Sequence, residues 1–470
     1  MRIRLSDLGR LDGTIDRWPY FTQGAALGVL KMGIDFVVAV GLFKRTWTPF
    51  DYAVPGQWLF ALSPEDQFYF RTMLVIALPF IWCGVALTLR RLRSAGLPIY
   101  AVVLFFAPMP MNLIVFLVLS MLPPRPARGG IYGEIDDSWR SPGYEKSSGV
   151  LAKTLPEGRW GGAIAAVLLP LPFALLLTTL CTRYLQYYGW GLFVGLPFVL
   201  PMISVILYGY RRPRPLADCL WLGMLWLAVT FGAMLVVALE GMICLVMLLP
   251  MAIPVVLLGS AVGYLIQARR VGATETGRLL LVLIAALPAM IGAEAVTHPE
   301  APLYAVHTSV EVNVEPHRVW LHVIRFDPLP APDDWTVRTG LAYPVRAEIE
   351  GQGVGAIRRC VFSTGPFIEP IEVWDEPRLL RFAVTSNPRP MRESNPFGEI
   401  HPPHLDGFLV AHRGEFRLTE IADGRTLLEG TTWYQHHLWP AAYWRLWSDA
   451  IIHRIHERVL EHIKRSAERE

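Results

Sequence analysis

Histidine is missing from the first 297 residues, and all twelve histidines of the chain fall between His298 and His462. Charge is scarce as well, at 18% of 470 residues against 53% hydrophobic. An ordinary soluble chain carries about 25% charged residues, so this composition excludes a protein solvated by water throughout and requires a bilayer. A net charge of +3, with no Lys/Arg-rich block and no aromatic-basic interleaving, leaves no footprint for nucleic acid. Cysteine is rare too. Cys83, Cys181, Cys219 and Cys244 sit in apolar segments and Cys360 alone in the polar C-terminal part, which excludes a disulfide within that part and leaves the compartment undetermined. Also absent are Gly-x-Ser-x-Gly, His-Glu-x-x-His and Cys-x-x-Cys, the local signatures of a nucleophile elbow, a zinc protease and a zinc or redox pair.

What is present is apolar length. Runs of about 20 residues, the length that crosses a bilayer, occur at roughly 21–43, 72–89, 97–122, 160–181, 189–209, 217–239, 242–267 and 279–297. Residues 1–17 mix Arg with Asp, unlike a cleavable signal, so the N-terminus is expected to be retained. The third run carries Ala107-Pro108-Met109-Pro110-Met111-Asn112 at its centre, where two prolines break helical hydrogen bonding. If that run turns back and the N-terminus is cytoplasmic, nineteen Lys and Arg lie inside against four outside; eight straight crossings from the same start give eight against fifteen. Eight crossings from an outside N-terminus also satisfy the rule, with fifteen against eight. Both acceptable arrangements place the C-terminus on the extracytoplasmic face.

Charges within the apolar runs have bland readings. Lys31 and Asp35, four apart, share a helix face and neutralise one another. Glu240 and Glu294 lie near segment ends, where interfacial water is expected to solvate them. No series of intramembrane acids and no matched helix breaks point to a transporter. The first 125 residues resemble a small bacterial inner-membrane family of unknown function that carries an Arg-Arg-Leu-His-Asp-x-Gly run before a proline-broken stretch. The matching run is Arg90-Arg91-Leu92-Arg93-Ser94-Ala95-Gly96, with Arg93 and Ser94 in place of the family's His and Asp. The resemblance implies a multi-pass protein of the bacterial inner membrane and no known chemistry.

From about residue 304 the period changes to that of strands. Val310, Val312 and Val314 alternate, Pro316 opens a short helix, and strands follow at roughly 341–350, 354–363, 366–375, 379–385, 407–421 and 426–435. Pro440 starts a long helix with Trp447, Ile451, Ile455, Val459 and Ile463 in one stripe. The expected fold class is thus an α-helical multi-pass membrane domain followed by an α+β helix-grip soluble domain, whose curved sheet holds the helix and leaves a cavity suited to an apolar guest. The expected divisions are an N-terminal membrane domain at 1–125 with two helices and the proline-broken segment, a polar loop at 126–159, about five helices at 160–297, and the soluble domain at 304–470.

That last region resembles the START-like superfamily of polyketide cyclases, dehydrases and lipid-transport proteins. The resemblance rests on Val312-Asn313-Val314-Glu315-Pro316-His317-Arg318-Val319-Trp320, Gly351-Gln352-Gly353-Val354-Gly355, Gly365-Pro366-Phe367-Ile368-Glu369, Trp374-Asp375-Glu376-Pro377 and Gly430-Thr431-Thr432-Trp433-Tyr434. It implies a START-like fold and says little of reaction, since such folds host carriers, receptors and enzymes alike.

Pleating nominates the cavity wall. A turn at residues 363–366 sets Phe362 opposite Phe367, Cys360 opposite Glu369 and Arg358 opposite Ile371, on a face that is apolar apart from Arg358 and Glu369. Around Asp423-Gly424 the more apolar face collects Phe416, Leu418, Leu427, Glu429, Thr431 and Trp433. Arg358, Glu369, Glu429 and Trp433 are therefore the candidate ligand-binding residues; alternatively, Arg358 and Glu369 only neutralise each other in the sheet. His453 and His456, three apart, and His401, His404, His436 and His437 carry no metal-ligand spacing, so no metal and no cofactor are expected. The expected partners are the lipid bilayer and a lipid or other hydrophobic small molecule. Three functions fit: a membrane-anchored binder or carrier, a cyclase- or dehydrase-type enzyme using Glu369, Glu429 or a histidine as base, and a ligand sensor. Oligomeric state has no signal.

Overall fold

The computed structural model describes residues 9–45, 47, 64–106, 111–124, 154–269, 272–297, 300–329, 340–396 and 398–469. Within them seven helices are long and apolar enough to cross a membrane: Arg17–Leu42, Phe68–Ala95, Arg159–Leu185, Gly191–Tyr208, Leu216–Val236, Met242–Gln267 and Ala273–Thr297. The run at 97–122 contributes no such helix. It holds a 3-10 helix, Ile99–Phe106, and an α-helix of 11 residues, Met111–Met121, about 16 Å long where the hydrocarbon core is about 30 Å. Pro108 and Pro110 lie outside the described residues, as does most of the polar stretch at 126–159.

Arg91, from the Arg-Arg run, is fully buried and closes the end of that short helix. Its guanidinium donates to the carbonyls of Leu119 (2.8 Å) and Leu122 and to Ser94 Oγ (3.0 Å). The Leu119 carbonyl needs this donor because the residue four positions on is Pro123, which has no N–H. Lys31 and Asp35 form the expected pair. Glu294 and Glu240 depart from expectation, being 4% and 8% exposed in place of solvated. Glu294 accepts the Gly191 N–H at 3.0 Å, so its helix end is turned inward.

The chain forms two compact units. One comprises Met1–Thr178, Gly189–Gly232 and Pro250–His298; the other comprises Thr179–Tyr188, Ala233–Leu249 and Pro299–Glu470. In the second, β1 (Tyr304–Val312) leads to α1 (Pro316–Ile324), whose Pro316 fills the first helical position. There follow β2 (Pro344–Glu350), β3 (Ile357–Phe362), β4 (Gly365–Asp375), β5 (Leu379–Ala383), β6 (Glu393–Asn395), β7 (Gly398–Ile400), β8 (Leu409–Ile421), β9 (Arg425–His436) and α2 (Ala441–Arg469). Seven strands make one antiparallel sheet in the order β1-β9-β8-β5-β4-β3-β2, and β6 pairs with β7 apart from it.

The sheet curls into a half-barrel around α2, the helix-grip arrangement. α2 rests against β1, β9 and α1. Val319, Trp320 and Val323 of α1, Leu380 and Leu428 of the sheet, and Leu460 and Ile463 of α2 are fully buried together. Burying each such side chain contributes roughly 1.5–3 kcal/mol.

Candidate functional site

Beside this core lies a cavity of about 150 Å³, walled by the inner faces of β3, β4, β5, β8 and β9 and by α2. An apolar cavity of that size holds a benzene ring. Ile451, Ile455 and Val459 of the expected stripe line it, together with Ile452, His456 and Leu460; Trp447 does not, and Ile463 belongs to the core.

Two hairpins decide which strand residues face inward. The β3–β4 loop is two residues, Ser363 and Thr364, so Phe362 pairs with Gly365, Cys360 with Phe367 and Arg358 with Glu369. That differs from the expected register by two residues, which leaves every side chain on its expected face. It also brings Arg358 and Glu369 from diagonal to directly opposite positions. The β8–β9 loop is three residues, Ala422–Gly424, with Asp423 and Gly424 at φ 63° and 68°, and it pairs Leu418 with Leu428 and Phe416 with Gly430. A turn of Asp423 and Gly424 alone would have shifted β9 by one residue. A one-residue shift exchanges the faces of a strand, so Gly430, Thr432 and Tyr434 point to the α2 side, and neither Glu429 nor Trp433 lines the cavity. Glu429 instead lies 3.2 Å from His307 Nε2 on the opposite face.

Of the four nominated residues the structure therefore brings Arg358 and Glu369 together in the cavity. Their side chains are 2% and 7% exposed, and Arg358 Nη1 donates to Glu369 Oε2. The guanidinium also stands over the rings of Phe326, Phe382 and Phe416, at 5.6, 5.3 and 5.4 Å from their centroids. Phe382 reaches this position because the strand beside it has Gly414, where a Cβ would lie 2.4 Å from the ring. Among the described residues Arg358 Nε and Nη2 find no oxygen or nitrogen acceptor, and the Cys360 thiol beside them is a weak one.

Burial raises the Glu369 carboxyl above the usual carboxylate range although Arg358 pulls the other way. Burial, reinforced by Glu369, pushes Cys360 up to about 12, so it remains a thiol. His456 was not among the nominated residues. Its Nδ1 lies 3.1 Å from Thr308 Oγ1 and its Nε2 2.7 Å from Thr432 Oγ1. Burial lowers it to about 4, which keeps the ring neutral, with one nitrogen donating and the other accepting. His453 Nδ1 meets the same Thr308 hydroxyl at 2.7 Å, so the pair at i and i+3 is tied into hydrogen bonds with the sheet. The signal that could have found His456 is its place one residue after Ile455 in the stripe.

Sheet, terminal helix and cavity together make a helix-grip fold, preceded in the chain by helices long and apolar enough to cross a membrane. No family model matches the chain, and no curated protein matches it. Among solved structures it is similar to the Zhui aromatase/cyclase from Streptomyces sp. R1128, at 17% identity and a TM-score of 0.24 over 36% of this chain and 95% of that one. It is also similar to truncated norcoclaurine synthase from Thalictrum flavum, at 13% and 0.23 over 36% and 94%, and to XoxI from Bacillus cereus, at 16% and 0.22 over 34% and 94%.

Proposed function

We propose that the chain is a membrane-anchored binder of a lipid or other hydrophobic small molecule, held in the helix-grip cavity with an oxygen of the ligand on Arg358. The observation that carries this is a fully buried guanidinium in an apolar cavity, with two donor nitrogens that meet no oxygen or nitrogen acceptor among the described residues. Leaving such donors unpaired costs roughly 1–3 kcal/mol each, which a carbonyl or carboxylate of the guest would recover. The apolar wall supplies the rest, at about 25 cal/mol per Å² of guest surface buried. To test it, the full chain would be purified in nanodiscs of defined lipid beside Ala411→Trp, which fills the cavity from its wall. Mass spectrometry should find a compound enriched in the first and depleted in the second. Identical extracts from the two would overturn the reading.

A second reading has one observation in its favour. Glu369 is a buried carboxylate with a raised pKa and an orienting partner in Arg358, the features of a general base in an apolar site. The reading would be a cyclase- or dehydrase-type reaction on a hydrophobic substrate. Its mark would be a substrate that the wild type converts and Glu369→Gln binds but converts roughly a hundredfold more slowly.

A further inference from the structure

None of Glu240, Cys244 and His404 lines the cavity, and all three belong to the second compact unit. Glu240 and Gly241 precede the helix Met242–Gln267, Cys244 sits in its first turn, and His404 is the middle residue of the 3-10 turn Pro403–Leu405. Glu393 of β6 accepts the N–H groups of Ile243 (3.3 Å) and Cys244 (2.9 Å), two of the donors a helix start leaves free. Gly241 permits that approach, since a Cβ there would lie 2.0 Å from Glu393 Oε2. The Tyr188 hydroxyl donates to Glu240 Oε1 at 3.3 Å and lies 3.3 Å from His404 Nδ1. His404 Nδ1 is 3.4 Å from Glu240 Oε2, and its Nε2 is 2.8 Å from Cys244 Sγ. One ligand atom from each of the three side chains lies within 4.8 Å of the other two.

We propose that Glu240, Cys244 and His404 bind a divalent transition-metal ion of the zinc class. Thiolate, imidazole and carboxylate are the donors zinc takes at about 2.0–2.3 Å, whereas calcium and magnesium call for oxygen throughout. Tetrahedral geometry at those bond lengths separates donor atoms by roughly 3.3–3.8 Å. One ring nitrogen of His404 would take the ion, and the three donor atoms lie within 4.8 Å of one another, so closing on an ion calls for side-chain adjustment.

Charge argues the same way. Two buried carboxylates, Glu240 and Glu393, stand at this thiol, and among the described residues neither is in ion-pair distance of a Lys or Arg. A cation bound here would neutralise these carboxylates in their ionised form. A nucleophilic Cys244 would need the N–H donors of its helix start to stabilise a thiolate or an oxyanion, and Glu393 occupies them. Tyr188 is placed to orient both Glu240 and His404 from behind. Three protein ligands leave a fourth position for water, and the ion would tie Ala233–Leu249 to the 403–405 turn within the unit.

The full chain, purified in detergent without chelators, should carry about one zinc per protein by elemental analysis. After stripping, Co²⁺ should give a thiolate-to-cobalt charge-transfer band and the visible bands of a four-coordinate ion. Cys244→Ser should abolish the charge-transfer band. Glu240→Gln, which keeps a partner for Tyr188, should weaken Co²⁺ binding by tenfold or more, and His453→Ala should change neither. Absence of the band in the wild type, or a band and affinity unaltered in Glu240→Gln, would overturn the proposal; these two measurements decide it even if Cys244→Ser does not fold. Hydrophobic-ligand binding plays no part in the readout, so this site and the cavity stand or fall separately.

Discussion

Placing the Arg358–Glu369 pair out of water costs several kcal/mol per ion, recovered only while each partner has the other. Arg358→Met or Glu369→Gln alone should therefore lower stability by about 3–5 kcal/mol, whereas Arg358→Met with Glu369→Leu should melt near wild type. The double variant should at the same time lose its preference for oxygen-bearing guests, which competition binding would show. If both single variants melt like wild type, the pair is not a buried unit. A second prediction concerns histidine. His436 and His456 are each lowered by burial to about 4, so below an unfolded pKa of about 6.5 the unfolded chain takes up protons that the folded chain refuses. Stability should fall as pH drops from about 6.5 toward 4 and be insensitive to these groups above 7. His456→Gln should flatten that slope in thermal melts read by tryptophan fluorescence.

Strands and helices were legible because their periods are local: Val310 and Val312 lie in β1, which ends before Val314, and the i+4 stripe of 451–463 lies in α2. Register was legible only to the precision of the loop. A two-residue error at Ser363–Thr364 left Arg358 and Glu369 on the inner face, and a one-residue error at Ala422–Gly424 put Glu429 and Trp433 on the wrong one. α2 carries two predictions. Leu460, fully buried over Gly430, should cost about 2–5 kcal/mol when replaced by Ala. Ile451→Asp would place an unpaired carboxylate in the cavity wall and should cost on the order of several kcal/mol or abolish folding. Wild-type melting of Ile451→Asp would mean that this stripe does not face the cavity.

At the scale of the whole molecule, the seven apolar helices among the described residues and the inside bias of Lys and Arg predict that a fusion at the C-terminus reports the extracytoplasmic face. Alkaline phosphatase fused there should be active and a cytoplasm-only fluorescent protein dark; the reverse pattern would refute the topology. The expected division into a lipid-solvated and a water-solvated part follows from composition, because charge in lipid is expensive whatever the fold. Helix-grip order follows from local period and turn chemistry. Tertiary structure alone decided that Arg358 faces Glu369 beneath three phenyl rings, that Glu240 and Glu294 are buried, and that Cys244 and His404 meet across 160 positions of sequence. Such contacts depend on loop length, strand register and the packing of distant segments, none of which leaves a periodic trace along the chain.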